Sequence, residues 1–571
     1  MLLPYQLGVQ SLGGVEPAIF ILEEAISGRN RLGINRIASL DFVNAFNRTG
    51  RAGIAAATSK YAPTFYRAAK WAYNQPSILL TQGGRTLASA EGVRQGDPLA
   101  PLLFSLSIRP MLENLQIALP KATIIAYLDD IYVLDPGTYP LLPRITKALR
   151  LKGPITLNQK KCSDDLVLDL REKGLKVLGT FIGPLRPRRK FLQAKASDLS
   201  KALDALKDLP KQHALLLLRG SVQLLLRHLQ RQLFSDDMPD LWAYIDRIIR
   251  VAVQRLIARE SGGKPLVRIA CLSIPVREGG LGISQHELLA PRLYLAAREA
   301  CRPILNDICP SIYPLNTGQP PEPTAQEVYR LVNTELAAKL APLLDKDSIR
   351  SELENASYLG RYWLRVLPTN KHNTLADSTV TEAIRTRLLL PIKPPLLPCS
   401  IYGKYPKIGR EDVCRGAERR WIIRHNQVTR AFTTTLSSRE DLKVESEPTP
   451  NLASSQIENQ RRPDFSVLLG TSRHYYDVQI VAINKDSARE EAFDTLSEAA
   501  ASKRQKYKDL GLNFHPLIFS AGGLREASTA KAYKALQELI GPSRAHWLDS
   551  FIALTLIQAR GVAATSILPQ N

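Results

Sequence analysis

The segment AYLDDIYVL, residues 126–134, places two adjacent aspartates between two short apolar runs. The runs TIIAYL and IYVL have the length and composition of strands, which predicts a β-hairpin with Asp129 and Asp130 at its turn. A tight turn usually takes Asn-Gly or Asp-Gly, and two neighbouring carboxylates repel each other, so the acidic pair is costly as structure alone. By itself, the segment fits a catalytic pair and an ordinary acidic turn equally well.

A third aspartate, Asp41, ends the similar apolar run IASLD (37–41). Nucleotide-transferring polymerases hold two divalent metals about 4 Å apart with carboxylates from adjacent strands. Asp41, Asp129 and Asp130 have the residue type and the strand context that such a site requires. These residues therefore predict a nucleotidyl-transfer site that uses Mg²⁺ or Mn²⁺.

Five segments occur in the order and approximate spacing of reverse transcriptase motifs A to E. They are SLDFVNAF (39–46), EGVRQGDPLAPLLF (91–104), AYLDDIYVL (126–134), LNQKKC (157–162) and VLGTFIG (177–183). The chain thus resembles a reverse transcriptase, specifically the enzymes of non-LTR retrotransposons. The resemblance implies Asp41 and Asp129 as principal metal ligands, Asp130 as a supporting carboxylate and the Phe42 carbonyl as a further ligand. It also implies template RNA, a DNA primer and deoxynucleoside triphosphates as partners.

The resemblance assigns nucleotide contacts to two further segments. Phe46 stands five residues after Asp41, where the family has an aromatic gate against the ribose 2′-hydroxyl; the alternative is a core aromatic residue. Gln95 and Gly96 match the loop that touches the incoming nucleotide, and Arg94 matches a template contact. The same loop also fits a glycine-proline turn, and both readings can hold together.

Two weaker assignments complete the polymerase set. Lys161 matches the lysine of the fourth motif, which assists departure of pyrophosphate, although a solvated lysine fits equally well. Gly179 and Gly183 resemble the primer-grip hairpin, where the backbone must approach the primer strand closely. We expect these three residues to contact the nucleotide or the primer.

A second constellation lies near the C-terminus, in RRPDFSVLLGTSRHYYDVQIV (461–481). Restriction-like nucleases place two acids on neighbouring strands with a lysine nearby, so that Mg²⁺ activates water. Asp464 and Asp477 resemble the RPD…DVQ signature of the endonuclease in site-specific non-LTR retrotransposons, and Lys503 or Lys506 matches its later lysine helix. Gln479 occupies the lysine position of the wider superfamily. The alternative is a structural hairpin.

Retrotransposon relatives with this nuclease carry a zinc knuckle just before it. Here Cys399 and Cys414 remain, while Tyr402 and Arg410 fall near the other ligand positions. Two thiolates do not close a tetrahedral zinc site, so no structural zinc is expected. The following triplet RHN (424–426) is present, and its histidine fits either a DNA contact or a packing residue.

These motifs predict an α/β (α+β) multidomain chain in five segments. They are a reverse transcriptase palm with partial fingers (1–190), a helical thumb (191–290), a helical linker region (291–395), a degenerate zinc knuckle with the RHN helix (396–440) and a PD-(D/E)xK-like endonuclease (441–571).

Composition agrees with a partner made of nucleic acid. Lysine and arginine outnumber the acids by 76 to 54, which gives a net charge of +22 and a pI near 9.7. Such a charge suits the neutralisation of phosphates. No apolar run approaches the roughly 20 residues of a membrane span, and the opening residues lack a secretion signal. Six irregularly spaced cysteines favour reduced thiols. We expect an intracellular protein, nuclear if the host is eukaryotic.

The chain departs from its family at the N-terminus. Fewer residues precede Asp41 than the fingers motifs need, and YQLGVQSLGGVEPAIF (5–20) resembles only the end of that region. We therefore expect a truncated fingers subdomain and weak or absent polymerase activity. Two other functions stay open: a domesticated remnant that binds nucleic acid without turnover, and a DNA endonuclease with an idle palm.

Overall fold

The computed structural model describes residues 2–9, 14–150, 155–257, 265–314, 322–390, 410–413, 418–449 and 462–566. Its strands are β1 (Arg36–Leu40), β2 (Ser77–Leu80), β3 (Thr86–Ser89), β4 (Thr123–Tyr127), β5 (Asp130–Asp135), β6 (Ser163–Leu166), β7 (Leu175–Val177), β8 (Thr180–Ile182), β9 (Lys443–Ser446), β10 (Phe465–Leu469), β11 (Ser472–Val481) and β12 (Phe514–Ser520). The prediction of a mixed α and β chain is confirmed.

The helices outnumber the strands. They are α1 (Glu16–Ile26), α2 (Ala45–Arg48), α3 (Arg51–Tyr61), α4 (Pro63–Tyr73), α5 (Ala100–Ala118), α6 (Leu141–Arg150), α7 (Val167–Lys173), α8 (Leu185–Ala205), α9 (Lys211–Gly220), α10 (Leu229–Gln232), α11 (Pro239–Leu256), α12 (Pro265–Ser273), α13 (His286–Ala300), α14 (Arg302–Ile308), α15 (Ala325–Leu340), α16 (Lys346–Ala356), α17 (Tyr358–Tyr362), α18 (Asp377–Arg387), α19 (Glu418–Ser437), α20 (Ala492–Lys506), α21 (Ala527–Ile540) and α22 (Pro542–Ser566).

The chain forms two compact units. The first comprises 1–197, 226–243 and 286–329, and the second comprises 198–225, 244–285 and 330–571. Each unit contains its own four-stranded sheet. The five segments predicted from sequence stay a prediction.

The sheet of the first unit has the order β4-β5-β1-β6, and its paired strands are antiparallel. Alternate residues of β5 enter different cores: Ile131 and Val133 pack in the cluster that contains α5, whereas Tyr132 and Leu134 pack in the cluster that contains α1. Successive strand residues point to opposite faces, so a sheet covered on both faces needs an unbroken apolar run. This explains why IYVL shows no alternation of polar and apolar residues.

The sheet of the second unit has the order β12-β11-β10-β9 and is mixed, because β11 pairs parallel with β12 and antiparallel with β10. Tyr476 and Val478 on β11 join the core formed with α19, α21 and α22. Val481 belongs to the other parity and packs in a smaller core with residues of α20. The residues of β11 that alternate with Tyr476 and Val478 therefore face α20.

One strand arises where the sequence shows only a polar connection. Residues 443–446 form β9, which pairs antiparallel with β10 from Lys443 opposite Leu468 to Ser446 opposite Phe465. Val444 is its one apolar side chain and packs against the main core of this unit. An edge strand needs few apolar residues, since one of its faces and one of its edges stay in water. Sequence patterning therefore missed it.

No helix in the described part of the chain is long and apolar enough to cross a membrane.

A buried ion network crosslinks the second unit. Arg560 of α22 pairs with Glu354 of α16 and, at 2.5 Å, with Asp412, which in turn accepts a hydrogen bond from Arg424 of α19. These side chains are between 1% and 6% exposed, so water does not replace a lost partner. Removing one member of a buried ion pair leaves an uncompensated charge.

We expect Arg560→Met to lower the free energy of unfolding by about 3–5 kcal/mol, because it removes the guanidinium beside the buried Glu354 and leaves Asp412 with only the longer contact to Arg424. Urea denaturation followed by circular dichroism measures this change. The matched control is Lys534→Met, which breaks the exposed Lys534–Glu538 pair of α21 and should change stability by less than about 0.5 kcal/mol. Equal midpoints for the two variants would contradict the prediction.

Candidate functional sites

Strand register brings the polymerase aspartates to one end of the sheet. Leu40 of β1 lies opposite Ile131 of β5, so Asp41, the next residue, continues toward the position of Asp130. On the other edge of β5, Tyr127 of β4 lies opposite Asp130, and the two-residue turn between β4 and β5 carries Asp129. Asp41 is therefore a neighbour of the consecutive pair Asp129 and Asp130 at this end, which we call the palm site, although it lies far from them in sequence.

The carboxylates of the palm site are weakly compensated. The pKa of Asp130 is raised, first by partial burial of its carboxyl and then by the negative charges of Asp129 and Asp41, although the residue keeps solvent exposure. The nearest cation is Lys161, whose Nζ lies 4.0 Å from Asp41 Oδ2 while its side chain is 70% exposed. An exposed pair at this distance offsets little of the repulsion.

Backbone pairing with the fourth motif holds Asp41 in place. The Asn158 N–H donates to the Asp41 carbonyl at 2.8 Å, and the Val43 N–H donates to the Thr156 carbonyl at 2.9 Å. These bonds flank a bridge between Phe42 and Leu157. In such a non-hydrogen-bonded pair, the carbonyl of Phe42 points away from its partner. It is thus available at the palm site.

Within the described ranges, no three acidic, histidine or cysteine side chains converge closely enough to hold a metal ion as the chain stands. The donor set of the palm site still suits a hard cation, because Mg²⁺ prefers carboxylate and carbonyl oxygens and keeps several waters of its own. Burial, and after it the negative charges of Asp129 and Asp41, raise the pKa of Asp130, and a divalent cation would offset those charges.

The loop of the second motif is tied to the residues that follow Asp41. The Val93 N–H donates to the Phe46 carbonyl and the Gly92 N–H to the Thr49 carbonyl, each at 2.9 Å. Gly92 has φ +67, and a Cβ there would lie 2.4 Å from the Asn47 carbonyl oxygen. Only glycine allows this approach. The close contact sets Phe46 beside the start of the loop.

The ring of Phe46 is half-buried and stacks on Phe104 of α5, with centroids 4.2 Å apart. Gln95 and Gly96 are exposed at the tip of the loop, and Gly96 has φ +88. Arg94, expected at the template, instead donates its guanidinium to Ser77 Oγ at 2.6 Å and to the Ala72 carbonyl. In this conformation Arg94 anchors the loop.

The fifth motif forms the hairpin β7–β8. Gly179 has φ +85 at its turn, and a Cβ on Gly179 would meet nothing within 4 Å. Gly183 has φ +123, and its Cβ would lie 2.6 Å from Gly174 Cα. Gly179 therefore has room for a partner beside it, whereas Gly183 packs closely against the backbone of Gly174.

In the second unit, register also brings two acids together. Phe465 lies opposite Tyr476, so Asp464, the residue before β10, neighbours Asp477 of β11. Asp464 Oδ2 accepts a hydrogen bond of 2.6 Å from the Val478 N–H. We call this position the C-terminal acidic site.

Asp477 faces α20 and is 3% exposed. Lys503 of α20 forms an ion pair with its carboxylate, and the Tyr507 hydroxyl lies 2.9 Å from Asp477 Oδ1. Burial still raises the pKa of Asp477 above its ordinary value, and the charge of Lys503 opposes that rise. Lys506 is exposed, with its Nζ 4.8 Å from the ring centroid of Tyr507. Of the two candidate lysines, the fold brings Lys503 to the acid.

His425 joins the same site, although its sequence context fitted a packing residue equally well. Its Nε2 lies 3.2 Å from Asp464 Oδ2 and 3.0 Å from the Val478 carbonyl. The hydrogen bond with Asp464 raises the pKa of His425 to about 9, against the effect of burial. The neighbouring Arg424 points instead into the buried ion network. The RHN triplet marks His425 in the sequence, but His425 and Asp464 lie so far apart along the chain that their contact could not be predicted from it.

The residues at issue for zinc, Cys399, Tyr402 and Cys414, lie outside the described residues, and the side chain of Arg410 does as well. The expectation that no structural zinc is present stays a prediction.

Comparison with known proteins assigns a family to the region that contains the palm site. Residues 22–180 match the family "Reverse transcriptase (RNA-dependent DNA polymerase)". The chain is 25% identical over 334 residues to the Pol polyprotein of the type-1 retrotransposable element R2 from Popillia japonica, covering 51% of this chain and 46% of that protein. It is 32% identical over 130 residues to the 132 kDa protein of the retrotransposable element SLACS from Trypanosoma brucei gambiense, covering 22% and 11%.

A solved telomerase from Candida tropicalis, in complex with a fragment of telomeric RNA, is similar at 11% identity over 58% of this chain and 54% of that one. The TM-score of 0.30 is too low to support an argument.

The region around the palm site is thus a reverse transcriptase domain. The two retrotransposon relatives confirm the predicted resemblance to the reverse transcriptases of non-LTR retrotransposons, while the endonuclease part of that resemblance stays a prediction. The chain spans about half or less of the length of the relatives it matches.

We expect Gly92→Ala to lower the free energy of unfolding by at least about 2 kcal/mol, because the added Cβ meets the Asn47 backbone and φ is positive. Gly53→Ala is the control: Gly53 lies in α3, and its Cβ would meet nothing within 4 Å. That change should raise stability by up to about 1 kcal/mol. Urea titrations compare them, and a Gly92→Ala protein as stable as the parent would refute the close approach.

Proposed function

We propose that this chain is an RNA-directed DNA polymerase in which Asp41, Asp129 and Asp130 carry out two-metal nucleotidyl transfer. The observation that carries the proposal is the register of β1, β5 and β4, which gathers these carboxylates inside a reverse transcriptase domain. Asp41, Asp129 and the Phe42 carbonyl would hold the ions, with Asp130 in support. Bound Mg²⁺ would favour the ionised primer hydroxyl and offset charge on the triphosphate.

The surrounding residues of the chain supply selection and orientation. Phe46, braced by Phe104, presents a ring edge that would exclude a ribose 2′-hydroxyl and so favour deoxynucleotides. Gln95 carries an exposed amide on the loop whose Val93 N–H bonds the Phe46 carbonyl, and that amide could hydrogen-bond the nucleotide. Lys161 stands beside Asp41, where an ammonium could donate a proton to departing pyrophosphate. Gly179 leaves room for close approach of a primer backbone.

Asp129→Asn should lower the rate of primer extension on an RNA template by about a hundredfold or more, because removing a metal ligand forfeits several kcal/mol of transition-state stabilisation. Steady-state incorporation of labelled deoxynucleotide with Mg²⁺ measures the rate. The control is Asp165→Asn on β6, whose carboxylate pairs with Lys173. Binding of the template without extension that depends on Asp129 would instead favour a domesticated remnant.

We further propose that the C-terminal acidic site nicks DNA. The supporting observation is that Asp464, Asp477 and Lys503 meet although they come from β10, β11 and α20. Two acids and a lysine are the set with which restriction-like nucleases bind Mg²⁺ and activate water. His425, bonded to Asp464, would orient that carboxylate. Coupled to the palm, a nick would provide the 3′ end from which element RNA is copied, which is target-primed reverse transcription.

Supercoiled plasmid with Mg²⁺ tests the nuclease. Lys503→Met should reduce nicking at least about tenfold, since it removes the cation beside Asp477, whereas Lys506→Met in the same helix should leave nicking unchanged. Asp477→Ala should abolish it. Equal loss for both lysine variants would refute the assignment. Nicking that persists in Asp129→Asn, in a protein that extends no primer, would favour a stand-alone endonuclease with an idle palm.

A further inference from the structure

The segment at residues 5–8 lies along the outer edge of β4. The Ala126 N–H donates to the Tyr5 carbonyl at 2.8 Å, and the Leu7 N–H donates to the Ala126 carbonyl at 2.7 Å. The segment thereby pairs in parallel with the strand that leads into the acidic turn. The residue between these two bonds is Gln6, which is only 1% exposed.

Both the oxygen and the nitrogen of the Gln6 side-chain amide form hydrogen bonds at the turn. Its Oε1 accepts from the Leu128 N–H at 2.7 Å and from the Gly8 N–H at 2.9 Å, while its Nε2 donates to the Leu128 carbonyl at 3.2 Å. Both backbone polar groups of Leu128 are therefore held by one buried side chain. Such a double contact fixes the orientation of a peptide as well as its position.

Leu128 needs this support because its backbone is strained. It has φ +56, a conformation that favours glycine and costs a leucine about 1–2 kcal/mol. A two-residue hairpin turn commonly takes glycine or asparagine at such a position. Here the following residue of the turn is Asp129, so any relaxation of Leu128 would move a proposed metal ligand.

We propose that Gln6 is a positioning residue of the polymerase site, which holds the strained Leu128–Asp129 turn so that the Asp129 carboxylate stays beside Asp41 and Asp130. The inference rests on the proposed polymerase function. Gly8 is part of the same device: a Cβ there would lie 2.9 Å from the Leu128 backbone nitrogen and 3.0 Å from Gln6 Oε1. A side chain at Gly8 would push the clamp off the turn.

Gln116 of α5 is a matched control, because it is a glutamine whose hydrogen bonds serve stability at a distance from the turn. Its Nε2 donates to the Leu119 and Ala122 carbonyls at 3.1 and 2.9 Å, which ties the loop before β4. Gln116 thus stabilises the opposite end of the same strand. Gln6→Met and Gln116→Met keep side-chain length and remove the hydrogen bonds, so the two variants separate loss of stability from loss of positioning.

Hydrogen exchange of the full chain, read by mass spectrometry, tests the clamp without reference to activity. Gln6→Met should speed exchange of the amides in the β4–β5 turn by about tenfold, because the Leu128 N–H loses its acceptor. Gly8→Ala should act in the same direction through displacement of Gln6. Gln116→Met should leave the turn unchanged. Equal exchange at the turn in Gln6→Met and the parent would overturn the inference.

Primer extension tests whether Gln6 affects catalysis. Gln6→Met should lower kcat about tenfold and raise the Mg²⁺ concentration for half-maximal rate, with unchanged affinity for primer–template, and excess Mg²⁺ should restore part of the rate. Gln116→Met should change neither quantity. Identical Mg²⁺ dependence in Gln6→Met and Gln116→Met would contradict positioning. If the parent shows no extension that depends on Asp129, the polymerase function fails, and exchange at the turn still decides whether Gln6 holds it.

Discussion

Strand β5 is paired on both edges, and the palm site depends on that double pairing. Its register with β1 carries Asp41 to the end of the sheet, and its register with β4 puts Asp129 and Asp130 at the same end. A shift of one residue in either pairing would turn the apolar side chains of a strand to the opposite face. Both faces are covered by packed cores. The hydrophobic packing of the sheet therefore protects the geometry of the carboxylates.

The second unit uses the same arrangement with different electrostatics. Asp464 and Asp477 also meet through antiparallel register, but Asp477 is buried and is compensated by Lys503 and Tyr507. The palm aspartates instead keep exposure, and the one ion pair that they form among the described residues is with a loosely placed Lys161. A buried carboxylate needs partners from its own chain, since water does not reach it. An exposed cluster of carboxylates is solvated by water, so its negative charge does not need a partner from its own chain and can be neutralised by a ligand.

Charge and close backbone approach also shape the loops around the palm site. Gly92 lets the second motif pack on the residues after Asp41, which sets Phe46 and the exposed Gln95 in one neighbourhood. Arg94, although exposed, donates hydrogen bonds to Ser77 and Ala72 and so anchors that loop. A basic composition thus indicates a class of partner, but it does not say which arginines are hydrogen-bonded within the fold, as Arg94 is.

The sequence alone indicated the reverse transcriptase domain, its acidic residues and the strands that carry them, because motifs and apolar runs are local patterns. Tertiary structure decided the rest. It brought Lys503 rather than Lys506 to Asp477, brought His425 to Asp464, bonded Arg94 to Ser77 and made β9 from a polar stretch. It also placed Gln6 against Leu128, 122 positions away. The physical reason is the same in each case: these contacts depend on which distant segments pack together, and side-chain type at one position carries no record of its distant neighbour.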